Sequence, residues 1–218
     1  MGVVIGVDEA GRGPVLGSMF VAGVKLSDGG TLPDGIRDSK QLSSGRRAAL
    51  AAALRDHPHV DSSVVEVDAR TIDENTGRLN QLTASAAASA IDRLEETRPR
   101  AAEILVDSCD TSPDRHASRV CQALSADNAV IAAHGAEDRY PVVAAASIIA
   151  KDRREDHVEA LRRDYGPVGS GYPSDPTTRS FLRHHLDEQG ELPPCARRTW
   201  GTCTDLLAAA RQGTLDDF

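Results

Sequence analysis

Bulky side chains and lysine are both in short supply. Three Phe, three Tyr and one Trp make 3 % of the 218 residues, and Lys25, Lys40 and Lys151 are the only lysines beside many arginines. With Asp and Ala abundant, that profile suits a high-salt cytoplasm or a GC-rich genome, and composition does not separate the two. No run of 18 apolar residues occurs, which excludes a membrane-spanning helix. Asp8, Glu9 and Arg12 interrupt the N-terminus too early for a secretory leader, so a cytoplasmic location is expected. Cys109, Cys121, Cys195 and Cys203 form no CxxC pair and no zinc spacing, and read as reduced packing residues. No HExxH pattern occurs, and His184 and His185, about 100° apart on a helix, make a poor metal pair. Basic surface is also lacking. The net charge of −8 argues against non-specific attraction to nucleic acid.

What is present is an alternation of apolar strands and longer helical patterns. Residues 3–7, 17–26, 60–67, 103–106 and 129–133 read as five strands, the first two paired antiparallel across a glycine turn. Helices are expected over about 43–55, with Ser43 or Ser44 as N-cap, and over 75–97, 114–125, 142–163, 178–189 and 202–211. The Gly/Pro/Ser-rich stretch 164–178 suggests a boundary. The expected organisation is a catalytic domain over 1–168, a helical extension over 169–211 and a tail over 212–218. The fold class is α/β or α+β with a C-terminal helical extension.

The chemistry-bearing residues cluster at strand ends. Asp8-Glu9 leaves an apolar run and enters a glycine turn. Asp107 ends Glu103-Ile104-Leu105-Val106, and Glu137-Asp138 follows the fifth strand. Each alone reads equally as a solvated strand end. Together they are hard oxygen donors of the kind that hold Mg²⁺ or Mn²⁺. Converging, they would make a two-metal phosphoryl-transfer site.

These segments carry a family resemblance. Gly6-Val7-Asp8-Glu9-Ala10-Gly11-Arg12-Gly13-Pro14 resembles the signature of type 2 ribonuclease H, ribonuclease HII. Five further segments follow in order: Asp38-Ser39-Lys40-Gln41-Leu42, Val106-Asp107-Ser108, 140–151 beginning Tyr-Pro-Val-Val, 169–176 (Gly-Ser-Gly-Tyr-Pro-Ser-Asp-Pro) and Arg197-Arg198-Thr199-Trp200. The resemblance is closest to the archaeal branch. It implies a ribonuclease H-like mixed five-stranded sheet flanked by helices. It implies an endoribonuclease that cleaves RNA in RNA–DNA hybrids and incises at ribonucleotides embedded in duplex DNA. Two Mg²⁺ or Mn²⁺ ions would be held by Asp8, Glu9, Asp107 and a fourth carboxylate, giving 5′-phosphate and 3′-hydroxyl ends.

The fourth position departs from the family, which usually has Asp ten residues before the Ser of its Ala-Ala-Ser segment. Counting back from Ser147 gives Glu137, with Asp138 as the alternate. Asp152 and Glu155 also depart, standing where the family has an apolar residue and Asp. Substrate contacts are implied for Gly11, Arg12, Gly13 and Tyr172, and more weakly for Lys40, Ser147 and Lys151. A glycine turn lets backbone approach a sugar closely, and a 2′-hydroxyl distinguishes RNA from DNA. The tail Gln212-Gly213-Thr214-Leu215-Asp216-Asp217-Phe218 resembles a clamp-binding box lacking its second aromatic. Gln212, Leu215 and Phe218 would engage a sliding clamp of the PCNA type. No membrane partner is implied, and a monomer is expected. Two other readings stay open at this stage: a non-catalytic hybrid-binding protein, and a different nuclease on the same fold.

Overall fold

A computed structural model describes residues 2–36, 42–96 and 100–216, with side chains through residue 212. In chain order the elements are β1 (Val4–Ala10), β2 (Met19–Leu26), α1 (Ser44–Arg55), β3 (Val60–Val67), α2 (Ala69–Glu74), α3 (Leu79–Glu95), β4 (Glu103–Asp107), α4 (Pro113–Ala123), β5 (Val130–Ala133), α5 (Ala136–Arg139), α6 (Pro141–Tyr165), α7 (Pro176–Gln189) and α8 (Gly201–Asp216).

The five strands form one mixed sheet in the order β3-β2-β1-β4-β5. β1 pairs antiparallel with β2, Val7 opposite Gly23, and parallel with β4, Val7 opposite Val106. β4 pairs parallel with β5, Asp107 opposite Ala133. The fold class expected from the resemblance is therefore correct. Parallel neighbours need a crossover, and α3 and α4 supply the two here.

Several boundaries differ from those read in the sequence. β1 continues through Ala10, so Asp8 and Glu9 lie inside the strand rather than beyond it. A short helix, α2, precedes α3; Asp68 caps it by accepting from the Thr71 N–H at 2.7 Å. Its polar sequence carries no apolar period to announce it. Glu137 and Asp138 sit in the one-turn α5, not in a loop. α8 continues to Asp216, so Gln212 is helical where a tail was expected. Ser43 is the N-cap of α1, its hydroxyl accepting from the Arg46 N–H.

Two compact units can be distinguished. One comprises Met1–Ala10, Phe20–Glu66 and Arg78–Glu155. Its core packs Val142–Ala146 and Ile148–Ala150 of α6 with Leu50, Ala51 and Leu54 of α1 and with Ala22, Val24 and Leu105 of the sheet. The Ala-rich start of α6 lets the helix lie very close to β1. A side chain at Gly6 would meet the Val142 carbonyl carbon and the Val143 nitrogen at 2.5 Å, so only glycine permits this approach.

The two departures on α6 are answered from α1. Arg55 pairs with the buried Asp152, and Arg47 pairs with Glu155. Lys25, one of the three lysines, is buried on β2. It donates to the Leu94 carbonyl at 2.9 Å and lies 3.7 Å from Glu95.

The other unit comprises Gly11–Met19, Val67–Gly77 and Asp156–Phe218. Its core joins Val15 and Leu16 to Leu161, Val168, Leu182, Leu186, Leu192, Ala196 and Cys203. Among the described residues, no helix is long and apolar enough to cross a membrane.

Candidate active site

Three elements deliver carboxylates to one place in the first unit. Asp8 sits within β1 and is buried; its Oδ1 accepts from the Glu9 N–H at 2.7 Å. Asp107 ends the neighbouring parallel strand β4, half-buried. Its Oδ1 accepts from the Ala136 N–H at 2.6 Å, which ties the start of α5 to the strand end. That tie places Glu137 beside Asp107, within hydrogen-bonding reach of its carboxyl.

The electrostatics record this crowding. Burial, above all, pushes the Asp8 carboxyl up to about 6, while the Ser147 hydroxyl, the Glu9 N–H and the Lys151 charge pull it back. Burial and then the Asp8 charge push Asp107 up to about 7, with Glu137 adding to the rise. Like charges withdrawn from water resist ionising together.

Ser147 is fully buried and lies against Asp8, so its contact is with the carboxyl rather than with an open surface. Lys151, one helical turn further along α6, is half-buried and near enough to act on the same carboxyl. Asp138 is exposed, its Oδ2 turned back toward Gly135. Glu9 is half-buried on β1.

The loop after Asp107 is held by Asp110, which sequence reasoning passed over. Its fully buried carboxylate pairs with Arg115 and Arg119 and accepts from Asn80 at 3.0 Å. The Arg115 hydrogen bonds, foremost, hold it well below the usual carboxylate range. In sequence, Asp110 looks like any polar loop residue ahead of a helix.

The oxygen-only donor set and its mutual repulsion fit a divalent cation. Among the described residues, however, no three His, Cys, Asp or Glu side chains already stand as a cage for an ion.

The glycine turn belongs to the second unit. Gly11 has φ 82°, a left-handed conformation that glycine takes without strain. The Tyr172 ring is 41 % exposed and lies against Gly13, with Cε1 3.3 Å from where a Cβ would stand. Arg12 is half-buried. The buried Arg197 donates to the carbonyls of Gly11 (2.5 Å), Arg12 (2.8 Å) and Gly17 (3.0 Å). Arg197 had been quoted only as part of a sequence segment; nothing in Arg197-Arg198 tells which arginine is buried. Lys40 and Phe218 lie outside the described residues, as does the side chain of Leu215. Gln212 is exposed on α8.

The family model described as Ribonuclease HII matches residues 5–203. The chain is similar to the ribonuclease HII of the halophilic archaeon Natronomonas pharaonis, 49 % identical over 98 % of each chain. It is also similar to the crystal structure of ribonuclease H2 from Pyrococcus horikoshii OT3. That match has a TM-score of 0.86 and 38 % identity, and covers 96 % of this chain and 99 % of that one. A third likeness is to ribonuclease HII from Archaeoglobus fulgidus, solved as a complex with PCNA. There the TM-score is 0.78 and the identity 38 %, over 91 % of this chain and 95 % of that one. Matched in sequence from the first strand to the last helix, and in fold along nearly its whole length, the chain belongs to the ribonuclease HII family and is a ribonuclease H enzyme.

Proposed function

We propose that this enzyme cleaves the RNA strand of RNA–DNA hybrids and also incises duplex DNA at single embedded ribonucleotides. The observation that carries the reading is the meeting of Asp8, Asp107 and Glu137, with α5 tied to Asp107 by the 2.6 Å bond from the Ala136 N–H and with Asp8 and Glu137 both raising the Asp107 carboxyl. A bound cation would keep such a cluster ionised out of water.

Asp8, Glu9, Asp107 and Glu137 would hold two Mg²⁺ or Mn²⁺ ions. Bound there, the ions supply an activated water and stabilise the leaving oxygen in an in-line displacement. Glu137, rather than Asp138, would be the fourth ligand, because it lies beside Asp107 and is partly buried while Asp138 is exposed. Its extra methylene is accommodated by the one-turn α5. Ser147 and Lys151 lie against Asp8 from α6 and favour its ionised form. Lys40 would add a phosphate contact. Gly11, Arg12 and Gly13, with Tyr172, would read the sugar that carries the 2′-hydroxyl.

The test is cleavage of an end-labelled DNA duplex containing one ribonucleotide. With Mg²⁺ or Mn²⁺ the expected products carry 5′-phosphate and 3′-hydroxyl ends. A chelator should stop the reaction without altering the circular dichroism spectrum. Cleavage that persists in chelator would reject the metal assignment.

A second interaction is proposed at the C-terminus. Gln212, Leu215 and Phe218 have the spacing of a clamp-binding box, and the Archaeoglobus relative was solved bound to PCNA. Removing residues 212–218 should weaken binding to a PCNA-type clamp and leave clamp-free cleavage by the monomer unchanged. An unaltered clamp affinity would reject it.

A further inference from the structure

Arg197 is fully buried, an unusual place for a guanidinium. Its Nη2, Nη1 and Nε donate to the carbonyls of Gly11, Arg12 and Gly17, and its guanidinium carbon stands 5.2 Å from the Trp200 ring centre. The main chain around it is stitched as well. The Arg197 N–H donates to the Val15 carbonyl, Gly17 to Cys195, and Val15 to Gly171, each at 2.8 Å.

Peptide planarity gives this arrangement a consequence. In a trans peptide the carbonyl and the following N–H point in opposite directions. With the Gly11 and Arg12 carbonyls aimed at Arg197, the N–H groups of Arg12 and Gly13 are aimed away from it. Successive N–H groups next to a left-handed residue form a concave donor pair suited to an oxygen ligand. The exposed Tyr172 ring lies beside Gly13, in the same unit.

We propose that Arg197, seated on Trp200, is a positioning residue for ribonucleotide recognition: it fixes the Gly11–Gly13 turn with its N–H groups outward beside Tyr172, and discrimination of RNA from DNA depends on that hold. This rests on the reading of the turn as the sugar-recognition element.

The full-length enzyme supplies the test through two constants. One is KM for a duplex with a single ribonucleotide; the other is Ki for the same duplex made wholly of DNA. Loss of folded molecules lowers apparent kcat and leaves both constants unchanged. Loss of positioning raises KM with Ki unchanged. For Arg197→Lys the ratio Ki/KM should fall about tenfold. Trp200→Leu, which leaves the guanidinium in place, should give a smaller fall in the same direction and serves where the lysine variant does not fold. An unchanged ratio in either folded variant overturns the proposal.

Amide hydrogen exchange gives an arm that needs no substrate. The Val15 and Gly17 N–H groups should exchange about tenfold faster in Arg197→Lys, with β1 amides unaltered. Unaltered exchange at Val15 and Gly17 likewise overturns it. If the natural enzyme shows no preference for the ribonucleotide duplex, the reading of the turn fails, and the exchange result still decides what Arg197 holds.

Discussion

The two units each bury charge, and they treat it in opposite ways. In the first, acids from β1, β4 and α5 are gathered where burial and mutual repulsion push Asp8 up to about 6 and Asp107 up to about 7. In the second, the Arg197 cation is met by three main-chain carbonyls. A buried charge held by backbone dipoles stabilises the loop that surrounds it. Acids crowded out of water are held together against their own repulsion, and a proton or a bound cation relieves it. The contrast separates a cation matched by main-chain carbonyls from acids left in mutual repulsion, and mutagenesis can probe it directly.

The largest effect is expected at Asp107. Asp107→Asn should lower cleavage by at least about a hundredfold, the loss typical of removing one transition-state stabilising group. Its melting temperature in chelator should be equal to or above that of the natural protein, since one of the repelling acids is gone. A large fall in stability would erase the contrast. Arg197→Met should chiefly lower stability, with a smaller loss of cleavage that appears as a raised KM. Hydrogen bonds from a charged donor contribute about 1.5–3 kcal/mol each, so losing three should cost about 4.5 kcal/mol or more in urea unfolding.

Next, Glu137→Gln should cut activity at least about tenfold while Asp138→Asn stays near the natural rate, since only a ligand change alters the transition state. Equal losses would place both acids in the site. On the helix pair, Arg55→Met should cost about 1 kcal/mol, the upper range for a partly exposed ion pair, read by thermal melting with catalysis unaltered.

The smallest effect concerns acid stability in the second unit. Asp175 caps α7, and bonds from Ser170, foremost, and from Thr177 hold its carboxyl down to about 2. A folded pKa below the unfolded value of about 3.9 contributes stability that is fully present above that pH. That contribution is lost as the pH falls through about 2. The gap in melting temperature between the natural protein and Asp175→Asn should therefore narrow as the pH falls from 6 toward 2. A constant gap would show that the cap acts without its charge.

Much of this was legible in the sequence, for identifiable reasons. β3 spans Val60–Val67, as its β-branched run implied, and Ser43 caps α1 because a serine hydroxyl suits a helix start. Asp107 ends a strand as read, since apolar runs that stop at an acid mark buried strands reaching a surface. What was hidden depended on partners distant in the chain. Asp152 and Glu155 looked like faults in α6 until Arg55 and Arg47 were found opposite them. Arg197 could not be told from Arg198 as the buried arginine, because its partners Gly11, Arg12 and Gly17 lie at the other end of the chain. α2, short and polar, gave no period to detect. The net charge of −8 was a poor guide to the substrate, because part of that charge is the acid cluster itself.

The span of the Arg197 bonds has a bearing on biosynthesis. They join residues 180 to 186 positions apart. Synthesis runs from the N-terminus at about 5–20 residues per second. A nascent chain that has emitted every acid of the cluster still lacks the arginine that shapes its glycine turn. The carboxylates come early and the hold on the turn comes last, so a chain halted before residue 197 would carry the acid cluster without the arginine that fixes the turn.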